Sequence, residues 1–350
     1  MLSTVTQSLL GEGELAEPLR LYTLTNKQGM SVQLADLGAS LIAVNTQDRD
    51  GCFANVLLDY QNPAHYLENP DFFGVTVGRC ANRIGQGEFV LDGKNISVDI
   101  NDGKNHLHGG KQGLSTKRWF AKTHIESSAV SVTFRCDSPD GESGYPGNVS
   151  ASVTYCLNND NELVLTYRAN TDQRTPLSLT NHAYWNLSAS GNILAHSLSM
   201  NAKYYLELDD GLIPTGKLVD VSNTAMDFIQ SKAIGEHIKQ RDNGFDNYWV
   251  VEKDKIQSNT ELTSVAILKD PVSGRKMEIL STEAGVQFYS GNFLDGSRCR
   301  KNGSAINQFA GLCLETHGYP DAVNHKHFPS VIMDSDNNYF QKTVHRFSVD

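Results

Sequence analysis

Along most of the chain, apolar and polar residues alternate with a period of two. Clear runs are Val130, Val132 and Phe134; Val149, Ala151, Val153 and Tyr155; and Leu163, Leu165 and Tyr167. In the last segment Tyr339, Gln341, Thr343, His345 and Phe347 alternate with Phe340 and Val344. Successive side chains of an extended chain point to opposite sides, so each run predicts a strand with one face against a core. Turn-forming residues cut the runs at strand-like intervals. Asp92-Gly93 and Asn159-Asp160-Asn161 each separate two alternating runs, which predicts hairpins. Helical patterning is confined to short stretches near residues 64–68 and 231–239. No linker, charge block or fixed-period repeat divides the chain. The expectation is an all-β protein, a large antiparallel β-sandwich formed by residues 1–350 as a single domain.

Composition narrows the partners. Hydrophobic residues make up 39% and charged residues 20%, enough to bury a sizeable core. Thirty basic against forty acidic side chains give a formal charge of −10, which repels nucleic acid and anionic lipid and leaves neutral small molecules as partners. The first residues carry no basic region and only Leu9-Leu10 as an apolar pair, so neither a signal peptide nor a membrane span is expected, and the cytoplasm is the default location. Cys52, Cys80, Cys136, Cys156, Cys299 and Cys313 lack C-x-x-C spacing, which argues for reduced thiols, mostly filling the core.

Four stretches concentrate hydrogen-bonding groups. Arg79, Asn82 and Arg83 follow the apolar run 72–77 and offer fork-shaped donors for vicinal hydroxyls or carboxylates, although a salt-bridged strand end would look the same. His106 and His108, followed by Gly109-Gly110, would share a face at strand spacing; a hydrogen-bonding role, a metal pair and a plain turn are all open, with no Cys or carboxylate ligand nearby to favour the metal. Asn181, His182, Tyr184, Trp185 and Asn186 combine the amides, imidazole and rings that suit a sugar, but a core histidine with satisfied nitrogens fits equally. Glu315 ends the apolar run 311–314; partial desolvation there would raise its pKa towards that of a general base, whereas solvent is the commoner place for a glutamate. Asp321 after Pro320 reads as a turn residue.

Together these stretches resemble the aldose 1-epimerase (galactose mutarotase) family: G-R-x-A-N-R-I over 78–84, L-H-G-G over 107–110, T-N-H-x-Y-x-N-L over 180–187 and L-E-T over 314–316. Further matches are G-Y-P-G over 144–147, G-F-D over 244–246, Q-F-Y-S-G-N-F over 287–293 and P-D-A-V-N over 320–324, so the resemblance spans nearly the whole chain. It implies the antiparallel β-sandwich known as a supersandwich, with the sugar in an open cleft. It also implies Glu315 as general base, His182 as general acid and His108 as a helper near the ring oxygen, with Asn82, Arg83, Asp246 and Gln287 holding the sugar. The substrate would be a free aldohexose, with no metal and no cofactor. Trp185 stands where the family usually has Phe and His317 where Gln is frequent, which bears on the shape of the pocket.

The chemistry fits those groups. Ring opening removes the proton of the C1 hydroxyl and delivers one to the ring oxygen, so one carboxylate and one imidazole suffice. An epimerase for phosphorylated hexoses would need a Lys or Arg cluster, and a noncatalytic sugar-binding module would not need Glu315 and His182 together, so their joint presence favours catalysis. A glycosidase would need two carboxylates, for which Glu315 and Asp246 are the available pair.

Overall fold

A computed structural model describes residues 2–241, 244–252 and 260–350. The alternating runs form strands in the register that their apolar faces require. Phe134 lies opposite Val153, Val153 opposite Tyr167 and Tyr167 opposite Gln341, so one buried row crosses four strands. Each large apolar side chain in such a row contributes about 1.5–3 kcal/mol by leaving water. These strands, Ala129–Ser138, Val149–Asn158, Glu162–Thr171 and Tyr339–Val349, belong to a nine-stranded antiparallel sheet. The C-terminal strand sits inside that sheet, between Glu162–Thr171 and Arg275–Ser281. Thr4–Leu10, Leu19–Thr25, Ser31–Ala35, Ser40–Gln47 and Phe53–Asn55 form a five-stranded meander.

A second five-stranded sheet carries Pro214–Asp220, Tyr204–Leu208, Asp246–Val250, Gly285–Tyr289 and Cys313–His317, in that order. It is stitched to the nine-stranded sheet by polar residues. Gln341 Nε2 donates to the Thr316 carbonyl at 2.8 Å, and the Thr316 and Thr343 hydroxyls are 2.7 Å apart. The face of the last strand that meets the core is therefore its Gln341, Thr343, His345 and Phe347 face; Gln341 and Thr343 are buried with hydrogen-bond partners, and the His345 ring packs against Trp185.

Both predicted hairpins are present. Asp92 and Gly93 both take positive φ, 51° and 75°, as a two-residue turn between Glu88–Leu91 and Lys94–Ser97 requires. Residues 159–161 join Val149–Asn158 to Glu162–Thr171. The helices are shorter than their patterns, His65–Glu68 and Ile234–Ile238. Among the described residues no helix is long and apolar enough to cross a membrane. All six cysteines are free thiols, with Cys80, Cys136 and Cys313 buried and Cys52 exposed.

Candidate active site

Strand register brings the first half of the site together. Gln287 lies opposite Glu315, and Asp246 opposite Tyr289. Residues directly opposed, or two apart on one strand, share a face. Asp246, Gln287, Tyr289 and Glu315 therefore project to one side and line a cavity of about 1230 Å³. Trp249, Val286, Phe288 and Leu314 project to the other side, into the main core.

Short strands and tight turns bring in the other half. Arg83–Ile84 pairs with His106–Leu107, and the residues flanking this pair, Asn82 and His108, take left-handed backbone with φ of 62° and 52°. The turn closes on Gly109, where a Cβ would lie 1.8 Å from the Gly78 carbonyl oxygen, so only glycine fits. His182 follows the strand Thr180–Asn181; its N–H donates to Val75 O and its carbonyl accepts from Gly74 N–H, each at 2.9 Å. Phe72, also left-handed at φ 58°, lays its ring 4.9 Å from that of His108 and 5.8 Å from that of His182. Phe72, Asn82 and His108, together with Gln86, Leu212 and Asp321, make six non-glycine residues of the cavity lining in left-handed backbone, a local strain of the kind that clusters at functional sites.

The candidate acid and base, His182 and Glu315, are close and buried. His182 Nε2 is 3.7 Å from Glu315 Oε1, with the two side chains 7% and 3% exposed. Glu315 Oε2 has no hydrogen-bond partner among the described residues. Asp246 Oδ1 accepts from Gln287 Nε2 at 2.6 Å, and its Oδ2 lies 3.8 Å from Arg83 Nη1. Arg83 is held in turn by Asp102, whose Oδ2 accepts from Nε at 2.7 Å. Burial pushes the Glu315 carboxyl well above the ordinary carboxylate range, and the neighbouring Asp246 charge adds to this while Arg83 opposes it. Burial also raises Asp246, against the pull of Arg83 and Gln287. The same desolvation lowers His182 to about 4 and holds His108 well below its usual value. Burial thus disfavours the charged form of both members of the pair, the carboxylate of Glu315 and the imidazolium of His182.

The two imidazoles differ in what meets Nδ1. The Asn82 backbone N–H donates to His108 Nδ1 at 3.1 Å. A backbone amide can only donate, so the neutral His108 ring carries its hydrogen on Nε2 and acts as a fixed donor. One ligand atom each from His108, His182 and Glu315 lie within 4.8 Å of one another, the spacing of a possible metal set. With Nδ1 of His108 engaged, however, its other nitrogen presents a hydrogen rather than a lone pair, which suits an oxygen acceptor better than a cation.

All seven residues singled out for the site, Glu315, His182, His108, Asn82, Arg83, Asp246 and Gln287, line this one cavity. Other expectations need correction. His106 does not share a face with His108: the left-handed turn sends the rings apart, and His106 bonds the Asp99 carbonyl at 2.7 Å and the Tyr145 hydroxyl at 2.6 Å. Arg79 is an internal strut rather than a sugar-facing fork, with its guanidinium bonded to Ser138, Pro139, Pro146 and Thr175. Trp185 packs away from the cavity against His345 and Phe347, so its departure from the family's usual Phe is accommodated by the core. His317 is fully buried behind the wall, its Nδ1 within 2.6 Å of the Gly318 carbonyl. Asp321 is the turn residue expected, at φ 54° and accepting from Gly85 N–H. Sequence reading missed Asp102 as the tether of Arg83 and Phe72 as the ring against both histidines. The first had only a turn-like Asn-Asp-Gly as a signal, and the second lay within a run read as core.

Comparison with known proteins identifies the family. The family model described as aldose 1-epimerase matches residues 20–346. The chain is 38% identical over 350 residues to galactose mutarotase of Bos taurus, covering 99% of both chains. It is 34% identical over 331 residues to aldose 1-epimerase of Escherichia coli (strain K12), covering 93% of this chain and 92% of that one. Among solved structures, an aldose epimerase homologue from C. elegans superposes with a TM-score of 0.87 at 29% identity, covering 98% of this chain and 99% of the other. Galactose 1-epimerase from Lactobacillus acidophilus NCFM gives a TM-score of 0.84 at 26% identity, covering 99% and 98%. With a full-length family match and relatives of this similarity over nearly every residue, the chain belongs to the aldose 1-epimerase family.

Proposed function

We propose that this protein interconverts the α and β anomers of a free aldohexose such as galactose or glucose. It acts as one catalytic unit over residues 1–350, without a metal or cofactor. The six free thiols favour a reducing compartment, the cytoplasm. The observation that carries the reading is the buried His182–Glu315 pair, 3.7 Å apart in the cavity wall beside Asp246 and Gln287.

Glu315 takes the proton of the C1 hydroxyl as C1 becomes a carbonyl. The bond from C1 to the ring oxygen breaks, its electrons stay on that oxygen, and His182 Nε2 supplies the proton it then needs. A sugar that donates its C1 hydroxyl to Glu315 and accepts at its ring oxygen from His182 favours the carboxylate and imidazolium forms. His108, a fixed Nε2–H donor, steadies the ring oxygen without titrating. The aldehyde end then turns about the C1–C2 bond, and the same transfers in reverse close the other anomer.

C1 must stay free to turn, so the grip falls on hydroxyls remote from it. Asn82, Arg83, Asp246 and Gln287 supply donors and acceptors for that grip. Asp246 serves this role better than that of a second glycosidase carboxylate, since Gln287 and Arg83 already engage its oxygens. The cleft wall, with Asp71, Glu88, Asp102, Asp209 and Asp210 against Arg83 and Lys104, is the wrong charge for a phosphorylated sugar.

Polarimetry of freshly dissolved α-galactose tests the proposal. The expected result is an accelerated approach to the equilibrium rotation with no change of sugar. Rotation at the buffer rate in the presence of folded protein, or appearance of a different sugar, overturns it.

A further inference from the structure

The acid role assigned to His182 leaves a requirement at its far nitrogen. After Nε2 has given its proton to the ring oxygen, the neutral ring must keep its remaining hydrogen on Nδ1, because Nε2 has to present a lone pair to take the proton back on reclosure. An Nδ1–H buried without an acceptor is unfavourable, and the ring would otherwise settle as the Nε2–H form, which cannot take a proton from the sugar.

The group at that nitrogen is the Cys313 sulfur, 3.6 Å from His182 Nδ1 and fully buried. Cys313 is two residues before Glu315 on the same strand and therefore on the same face, which places it behind His182 while Glu315 stands in front. Tyr184, which lines the cavity wall, packs in the same buried cluster as Cys313. A thiol can both accept and donate, unlike the backbone amide at His108. The contrast separates the two histidines: Asn82 N–H locks His108 as an Nε2–H donor, while the sulfur lets His182 hold Nδ1–H through both halves of the cycle.

We infer that Cys313 is a positioning residue for the acid step: its sulfur accepts the Nδ1–H of His182 and so keeps Nε2 as the nitrogen that gives and regains the proton. Atoms balance with no redox change. One proton passes from Nε2 to the ring oxygen and back, another from the C1 hydroxyl to Glu315 and back, and the thiol hydrogen stays on sulfur. The inference rests on the anomerase reading for its kinetic consequence, but its structural content can be read without turnover.

The test uses the full chain labelled with ¹⁵N on histidine, as wild type, Cys313→Ala and Cys313→Ser. Long-range ¹H–¹⁵N spectra at neutral pH should show His182 as the Nδ1–H tautomer in wild type and in Cys313→Ser, and shifted to Nε2–H in Cys313→Ala. His108 should stay Nε2–H in all three as the internal control. Polarimetric kcat should fall about 10–100-fold in Cys313→Ala with KM little changed, and Cys313→Ser should recover most of it. A wild-type His182 in the Nε2–H form overturns the inference. So does a Cys313→Ala protein whose His182 tautomer and kcat match wild type. If the wild type shows the expected tautomer but no mutarotation, the anomerase reading fails while the role of the sulfur at His182 stands.

Discussion

The two faces of the sheet formed by Asp246–Val250, Gly285–Tyr289 and Cys313–His317 are both buried but opposite in chemistry. Behind, Phe288 stacks on Phe245 with ring centroids 5.1 Å apart and meets the rings of Phe228 and Trp249 at 5.7 and 5.9 Å. In front, Asp246, Gln287 and Glu315 face one another, and one Glu315 oxygen has no hydrogen-bond partner among the described residues. On adjacent residues of one strand, such as Leu314 and Glu315, burial thus does two jobs. Apolar groups gain from it, whereas Glu315 loses solvation and gains proton affinity, the property its proposed role as general base calls on. The back face holds the strands in place so that the front face can tolerate its loss.

Breaking each face should give a different signature. Phe288→Ala removes a ring from a packed aromatic cluster and should destabilise the fold by about 3–5 kcal/mol in urea titrations, while the molecules that remain folded keep their kcat. Equal losses of stability and kcat per folded molecule would show that the faces are not separable. On the proposed role of Arg83 and Asp246 in gripping the sugar in ground and transition states alike, Arg83→Ala and Asp246→Ala should raise KM about 10–100-fold with kcat nearly unchanged. A fall confined to kcat contradicts their assignment.

The smallest effect has the opposite sign. Glu315 holds its proton more tightly folded than unfolded, so the native state loses stability as pH rises from the unfolded value near 4.5 towards the raised folded one. Glu315→Gln imitates the protonated acid, and its advantage over wild type should be near zero below that range and grow by at most about 1.4 kcal/mol per pH unit above it. The histidines work from the other side. His182, His317 and His345, each lowered to about 4 by burial, bind protons more readily when unfolded, so stability should fall as pH drops from about 6.5 towards 4 in both proteins. Denaturant midpoints across pH 4–8.5 check both limbs.

The same contrast explains what the sequence made legible. Period-two alternation located Ala129–Ser138, Val149–Asn158 and Glu162–Thr171, because an apolar face against a core leaves that imprint wherever the strand sits. It could not place Tyr339–Val349 between Glu162–Thr171 and Arg275–Ser281, since alternation records which face is buried and not which strand is the neighbour. At the site, motif resemblance brought Glu315, His182, His108, Asn82, Arg83, Asp246 and Gln287 to one cavity. Direction was what single residues withheld. Arg79 and Arg83 look alike in sequence yet point inward and cavity-ward, and His106 and His108 part company because one φ of 52° intervenes. Cys313 read as core filling, which its burial bears out, but the nitrogen 3.6 Å away is visible only in three dimensions.

The central claim is that His182 and Glu315 act as one proton-transfer unit, and a double-mutant cycle followed by polarimetry tests it most directly. Glu315→Gln and His182→Asn keep approximate shape and should still bind sugar, but each should lower kcat by about 10²–10⁴. The double variant should be little slower than either single one, because losing one partner already strands the other. A folded, sugar-binding Glu315→Gln protein with nearly wild-type kcat, or a double variant slower by the full product of the two single effects, would contradict the account.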